Sequence, residues 1–374
     1  MTAPRIEIDL RKIGHNASTL VGRLATRGIE VTGVTKATLG SPHIARQLLA
    51  AGIRSLGDSR IENIEALRKA GMAGSIALIR SPMPSQVERV IASADISFNT
   101  ELSVLRLLSQ AAVQANRSHG VILMVELGDL REGIMPTDLP SVVHAVMELP
   151  GLTLQGIGTN LACHSGTSPD ASNMAQLSAL TCTIESTFGR RLATISGGNS
   201  ANLNWAFSGQ DCGRVNDLRL GESILLGCET LHRCPLDGLY TDAITLVAEV
   251  IELKQKPSKP WGALAQTALG TKAKVADRGT VWRSILAIGC QDCDPLGLEP
   301  PPGVEIHGAS SDHLIVECAQ AHLTVGTEVR FQLQYSALLQ AMTSPFVAKV
   351  FLRDEVRPPR KRRRRAPPKL AAHG

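Results

Sequence analysis

With 374 residues, 43% of them hydrophobic and 20% charged, the chain is long for one domain, comfortable for two, and ordinary for a soluble globular protein. No stretch reaches the roughly 18 continuous apolar residues of a membrane span, and the start, MTAPRIEIDLRK, has no apolar h-region. A cytoplasmic location is therefore expected. The net charge of +5 misleads, because the segment from Arg357 onward holds eight Lys or Arg and no acid, and subtracting them leaves −3 for the body. Residues 353–374 thus read as a basic, disordered tail, able at most to touch nucleic acid non-specifically. With aromatics at 3%, the core must rest on Leu, Ile, Val and Ala.

Along the chain, short β-branched runs alternate with amphipathic helical segments. Residues 30–35 (EVTGVT) read as a strand and 42–51 as a helix; 53–56 is a strand and 61–70 a helix. Strands follow at 75–79, 95–98, 121–127, 152–160 and 192–196, with helices at about 101–116, 138–148 and 171–188 between them. Residues 218–220 close the set as an eighth strand. Repeated βα units imply parallel strands with crossover helices, and eight of them fit an α/β fold of the (β/α)8 TIM-like barrel type, over residues 1–237. No GxGxxG follows the first strand, which counts against a dinucleotide fold.

After about residue 238 the pattern changes. Strands at 243–253, 284–288, 313–317 and 328–333 are joined by Pro- and Gly-rich segments without long helices. A smaller, mainly β C-terminal domain over 238–352 is expected. The eight cysteines are scattered, and Cys290 and Cys293 form a lone CxxC with no second pair at zinc spacing. No metal site is expected, and the thiols read as reduced.

In a barrel of this kind, chemistry gathers at the C-terminal ends of the strands. Lys36 follows an apolar strand directly, an awkward place for a charge. Arg131 lies just after VILMVEL; Asn160 and His164 follow LQGIGT; Ser196-Gly197-Gly198-Asn199-Ser200 follows LATI; Arg219 and Gly221 end the last strand. A lysine desolvated there can form an imine with an aldehyde cofactor. A glycine-rich turn with a Ser hydroxyl suits a phosphate, and an arginine fork suits a carboxylate. Singly, each has a plain reading: a snorkelling lysine, a turn, a salt-bridge arginine.

Taken in order, the motifs EIDLRKIGHN, VTKA, GDSRIENIEALRKAG, VELGDLREG, GIGTNLACHSG, ISGGNSANLNW and LRLGESILLG resemble those of the alanine racemase family over residues 5–350. AIGCQDCD and IHGASSDHLIVE resemble its ornithine and basic-amino-acid branch, and residues 7–16 its opening helix. The resemblance implies a racemase that uses pyridoxal 5'-phosphate and works as a head-to-tail homodimer. Lys36 would hold the cofactor and act as base on one face of the substrate's Cα. Ser200, with backbone N–H groups near Gly221 and Glu222, would hold the phosphate, approached by Tyr335. Arg219 would donate to the pyridine nitrogen, and Arg131 would orient the substrate carboxylate. Asn160, with Asn199 nearby, stands where the family packs a histidine on the cofactor ring.

The family's second base is a tyrosine from the partner subunit. This chain has only Tyr240 and Tyr335, and residues 257–262 (PSKPWG) offer Trp261 instead. Asp312 and His313 are the first candidates for the role, with Cys290, Asp292 and Cys293 behind them. A basic substrate needs a carboxylate for its distal ammonium, and Glu222, Asp292 and Asp294 are available. Competing readings are racemization of alanine, a non-catalytic pyridoxal-phosphate homeostasis protein, and a metal-assisted aldolase or dehydratase using Cys290, Cys293 and His313.

Overall fold

The structure, a computed structural model, describes residues 2–267, 270, 276–318 and 323–352; the basic tail falls outside these. Eight parallel strands close into a barrel: β2 (Glu30–Val34), β3 (Ser55–Asp58), β4 (Ser75–Leu78), β5 (Ile96–Asn99), β6 (His119–Met124), β7 (Leu152–Gly158), β8 (Thr194–Ser196) and β9 (Asp217–Leu220), with β9 pairing back on β2. Helices alternate with them: α2 (Pro42–Ala50), α3 (Ile61–Lys69), α4 (Val87–Ser93), α5 (Leu102–Gln114), α6 (Leu139–Met147), α7 (Ala171–Phe188), α8 (Leu203–Phe207) and α9 (Glu222–Leu226). Each longer helix buries one apolar stripe, as α2 does with Ile44, Ala45 and Leu48. The ends of α7 are written locally. Asp170 accepts from Asn173 N at 2.9 Å, and Gly189 closes the helix at φ 62°.

The second unit is an antiparallel sheet in the order β12 (Leu298–Glu299), β15 (Glu328–Leu333), β10 (Ile244–Pro257), β11 (Thr280–Leu286), β14 (Leu314–Cys318), β13 (Val304–Ala309). Helix α10 (Tyr335–Thr343) and β16 (Ala348–Leu352) complete it. The barrel-plus-β-sheet architecture read from the sequence is therefore the observed one, with several strand bounds shifted by about two residues.

One expectation is corrected. Residues 7–16 do not form one opening helix: β1 (Arg5–Asp9) precedes α1 (Leu10–Ala25) and belongs to the second sheet, antiparallel to β10 and parallel to β16. Asp9 ends the strand and caps the helix, accepting from Arg11 N at 3.0 Å and Lys12 N at 3.2 Å. Arg5 donates to Glu7 at 2.7 Å and to both oxygens of Glu328 at 2.6 and 2.7 Å, fastening β1 to β15. Asn16, fully buried on α1, donates to Ile224 O and Tyr240 O and accepts from Tyr240 N. The chain thus starts in the second unit, enters the barrel through α1, and is pinned where it leaves. Among the described residues, no helix is long and apolar enough to cross a membrane.

Candidate active site

The loops after the barrel strands enclose a cavity of about 280 Å³. Its wall includes Lys36, Arg131, Asn160, Asn199, Ser200, Arg219, Gly221, Glu222 and Tyr335. Five different strand ends and one helix of the second unit bring these groups together, so no local segment could have shown it. A larger cavity, about 630 Å³, opens at the N-terminal ends of the strands, where Ser55, Ser75 and Thr194 line it with the paired, exposed Arg54 and Glu30 and the buried Asp217. Volume does not locate the chemistry here. The converging cations and hydroxyls lie in the smaller cavity, on the face where such barrels place their reactions.

Lys36 opens a single 3-10 turn directly after β2. Thr35, just before it, donates to Asp58 at the end of β3 at 2.7 Å, and Asp58 also accepts from Arg60 N and Asn63. The backbone bearing Lys36 is therefore fixed by a buried polar cluster. Burial holds the Lys36 ammonium below its ordinary value, with Arg131 and Arg219 adding repulsion and the Cys163 thiol and Asp58 opposing them. Its Nζ lies 6.0 Å from the centre of the Tyr335 ring. Tyr335 opens α10, so the second unit reaches into the barrel mouth, where burial pushes the phenol up.

Arg219 is clamped from several sides. One guanidinium nitrogen donates to the Ser196 hydroxyl, the other to Thr159 O at 2.8 Å and Asn160 Oδ1 at 3.2 Å, and the group lies 5.0 Å over the Phe98 ring. Asn199 donates to Asn160 Oδ1 at 3.0 Å and to Leu161 O at 2.9 Å. The Asn160 amide nitrogen is buried with no partner among the described protein groups. Such a group is costly unless something else fills the cavity beside it. Ser200 and Ser223 hydroxyls lie 3.0 Å apart, and Ser223 N donates to Ser200 at 3.2 Å. Gly198, at φ 146°, has no room for a side chain: a Cβ would meet Asn202 Oδ1 at 2.1 Å.

Other expected residues lie elsewhere in this chain. Asp312 and His313 are exposed between β13 and β14, outside the cavity wall. Asp292 is buried in the second unit and accepts from Ser344 at 2.7 Å, while Asp294 caps a turn through Leu296 N. His164 is exposed and does not line the cavity. Among the described residues, no three His, Cys, Asp or Glu gather as a metal ion would require.

The wall also holds residues the sequence did not single out. Glu132 pairs with Arg131, Arg233 pairs with Glu222 at 2.7 Å, and Cys163 faces Asn199 at 3.4 Å. Glu132 and Cys163 sit inside quoted motifs, one residue past Arg131 and three past Asn160, so their positions were at hand. Nothing local distinguished them from surface residues.

The family described as alanine racemase, N-terminal domain, matches residues 8–227. A lysine racemase from Thermotoga maritima is 37% identical over 94% of this chain and 99% of its own length. An ornithine racemase from Acetoanaerobium sticklandii is 36% identical over 93% and 99%. Among solved structures, a D-threonine aldolase from Filomicrobium marinum superposes with a TM-score of 0.74 over 91% of this chain and 89% of its own, at 16% identity. An alanine racemase from Clostridium difficile 630 does so with 0.71 over 94% and 96%, at 19%. These two likenesses speak for the fold.

Proposed function

Because the chain belongs to the alanine racemase family, we propose that it is a pyridoxal-5'-phosphate-dependent racemase that interconverts the L and D forms of an amino acid, with ornithine, lysine or another basic amino acid as substrate. The observation that carries this reading is Lys36, a half-buried lysine whose ammonium desolvation holds below its ordinary value, in one cavity with Arg219, Arg131 and Ser200. The unpartnered Asn160 nitrogen marks the same cavity as built for a polar occupant. In this reading residues 1–237, apart from β1, form the cofactor-binding barrel, 238–352 with β1 a β-rich domain that closes a partner's site in a head-to-tail homodimer, and 353–374 a basic tail.

When bound, pyridoxal phosphate supplies an aldehyde that condenses with amines and a ring that acidifies Cα. The protein's own groups do the rest. Ser200, with the backbone of Gly221 and Glu222, would hold the phosphate, with Tyr335 in the same wall. Arg219 would donate to the ring nitrogen; being cationic already, it would discourage protonation there and so favour return of the proton to Cα. Asn160 braces Arg219 and is itself held by Asn199. Arg131 takes the substrate carboxylate. Lys36 Nζ removes the proton from Cα on one face, its lowered affinity for protons making the neutral amine available.

The distal ammonium of a basic substrate needs an acid. Glu222 lines the cavity, while Asp292 and Asp294 could act only from a partner subunit, as could Asp312 and His313 in proton transfer. An acid beside the cavity has no purpose for alanine, which favours the basic substrate. The test is a chiral assay of the purified protein with added pyridoxal phosphate against ornithine, lysine, arginine, alanine and serine. Ornithine or lysine should racemize fastest, and Lys36→Ala should abolish the reaction. A preference for alanine would refute the substrate class. Cofactor binding without racemization of any amino acid would favour the homeostasis-protein reading.

A further inference from the structure

We propose that Cys163 is the group that exchanges a proton with Cα on the face opposite Lys36, so that each chain carries both members of the acid–base pair. This rests on the racemase reading. Inversion at carbon needs a proton removed from one face and one delivered to the other, and a single lysine reaches only one.

Position supports the assignment. Lys36 follows β2 and Cys163 follows β7, which lie three strands apart around the closed barrel by the shorter way, through β9 and β8. The two residues therefore enter the cavity from different sides of its mouth. Cys163 does not sit on a loose loop. Asp129, buried at 1% exposure, accepts the backbone N–H groups of Cys163, His164 and Ser165 at 3.2, 3.0 and 3.1 Å. Ala162, just before it, adopts φ 57°, a conformation that side-chain-bearing residues rarely hold unless their surroundings impose it. With the backbone held in this way, the exposed Cys163 thiol lines the cavity mouth, where Asn199 donates to Sγ.

The other proton-exchanging groups of the cavity are committed. Glu132 is held by Arg131 and Glu222 by Arg233. Tyr335 lies beside Lys36 itself, and burial makes its proton harder to release. Cys163, in contrast, has one hydrogen bond to its thiol among the described residues, from Asn199, in a wall that also carries Lys36, Arg131 and Arg219.

The step balances without any further reagent. The neutral Lys36 amine takes the proton from Cα and becomes an ammonium; the Cys163 S–H bond breaks as its proton joins Cα on the other face, leaving a thiolate. The ammonium proton then passes to the thiolate through water. Starting from the other enantiomer, a thiolate removes the proton and the Lys36 ammonium delivers one.

The experiment compares wild type, Cys163→Ala and Cys163→Ser, each with pyridoxal phosphate, in D2O with either enantiomer of ornithine. Cys163→Ala should keep its cofactor absorbance and melting temperature. It should lose racemization by about 100-fold or more, while still exchanging the Cα proton of one enantiomer only. Cys163→Ser should fall between. Independently of turnover, iodoacetamide should label Cys163 in the protein alone and label it several-fold more slowly once cofactor and ornithine fill the cavity. Racemization by Cys163→Ala within about three-fold of wild type, equal loss of exchange from both enantiomers with cofactor retained, or unprotected labelling would each overturn the proposal. One-sided exchange in Asp312→Asn/His313→Gln instead would move the role to the β13–β14 hairpin. A wild type inactive on every amino acid tried defeats the racemase reading, whereas an active one with an unaffected Cys163→Ala defeats this inference alone.

Discussion

Asp217 and Arg219, two residues apart on β9 and both buried, are joined through the hydroxyl of Ser196, which accepts from the guanidinium and donates to the carboxylate. Thr32 gives Asp217 a second donor at 2.7 Å. Burial raises the Asp217 carboxyl, Ser196 and Thr32 opposing it, so the carboxylate depends on these donors. Ser196→Ala should therefore destabilise the protein by about 1–3 kcal/mol, the cost of a buried acceptor losing its partner. In urea unfolding, adding Asp217→Asn to Ser196→Ala should cost less than the two single changes together. Strict additivity would refute the linkage.

His119 sits at 1% exposure at the start of β6, 2.8 Å from the Ser97 hydroxyl, and burial lowers it to about 4. The folded protein thus resists a proton that the unfolded chain accepts near pH 6.5. Stability from this residue is fully present above pH 6.5 and declines as pH falls toward 4, by about 3 kcal/mol at most. Urea midpoints measured between pH 7 and pH 4.5 should fall less steeply for His119→Gln than for wild type. Parallel slopes would show that His119 is not the source.

Glu222 is raised by burial and relieved by Arg233. If it receives the substrate's distal ammonium, Glu222→Gln should lower the ratio of kcat/KM for ornithine over alanine by about ten-fold or more, since a lost charge-assisted contact costs about 1.5–3 kcal/mol. An unchanged ratio, with Asp292→Asn or Asp294→Asn changing it, would move recognition to a partner's second domain.

Arg5 is nearly enclosed, with its guanidinium on Glu7 and Glu328, and Glu7 is held low chiefly by Arg330 with Arg5 adding to it. Arg5→Ala removes one partner from a buried charge and should cost about 3 kcal/mol, read as a lower urea midpoint. Because β1 pairs with β10 and β16, the loss should appear in amide exchange of the second sheet before the barrel. Uniform exchange throughout would contradict this.

Much of the barrel was legible because each βα unit writes its own period: a short β-branched run, then an amphipathic helix. Asp170 and Gly189 even mark the ends of α7 in sequence. Residues 7–16 misled because β1 and α1 abut without a turn, and Asp9 serves as the last strand residue and the helix cap at once. Nothing in RIEID says which sheet it joins; that is set by its pairing with the distant β10 and β16 and by the side chains of Arg330 and Glu328.

The cavity divides in the same way. By themselves, the residues determined that a lysine, two arginines and a small-residue loop follow apolar strands, since strand ends are set by local pattern. Their convergence, the depressed Lys36 and the placement of Cys163 were decided by barrel closure and by Asp129 gripping a loop 34 to 36 residues away in sequence. Desolvation and charge proximity depend on what lies across a cavity, and parallel strands bring there residues that the chain keeps far apart.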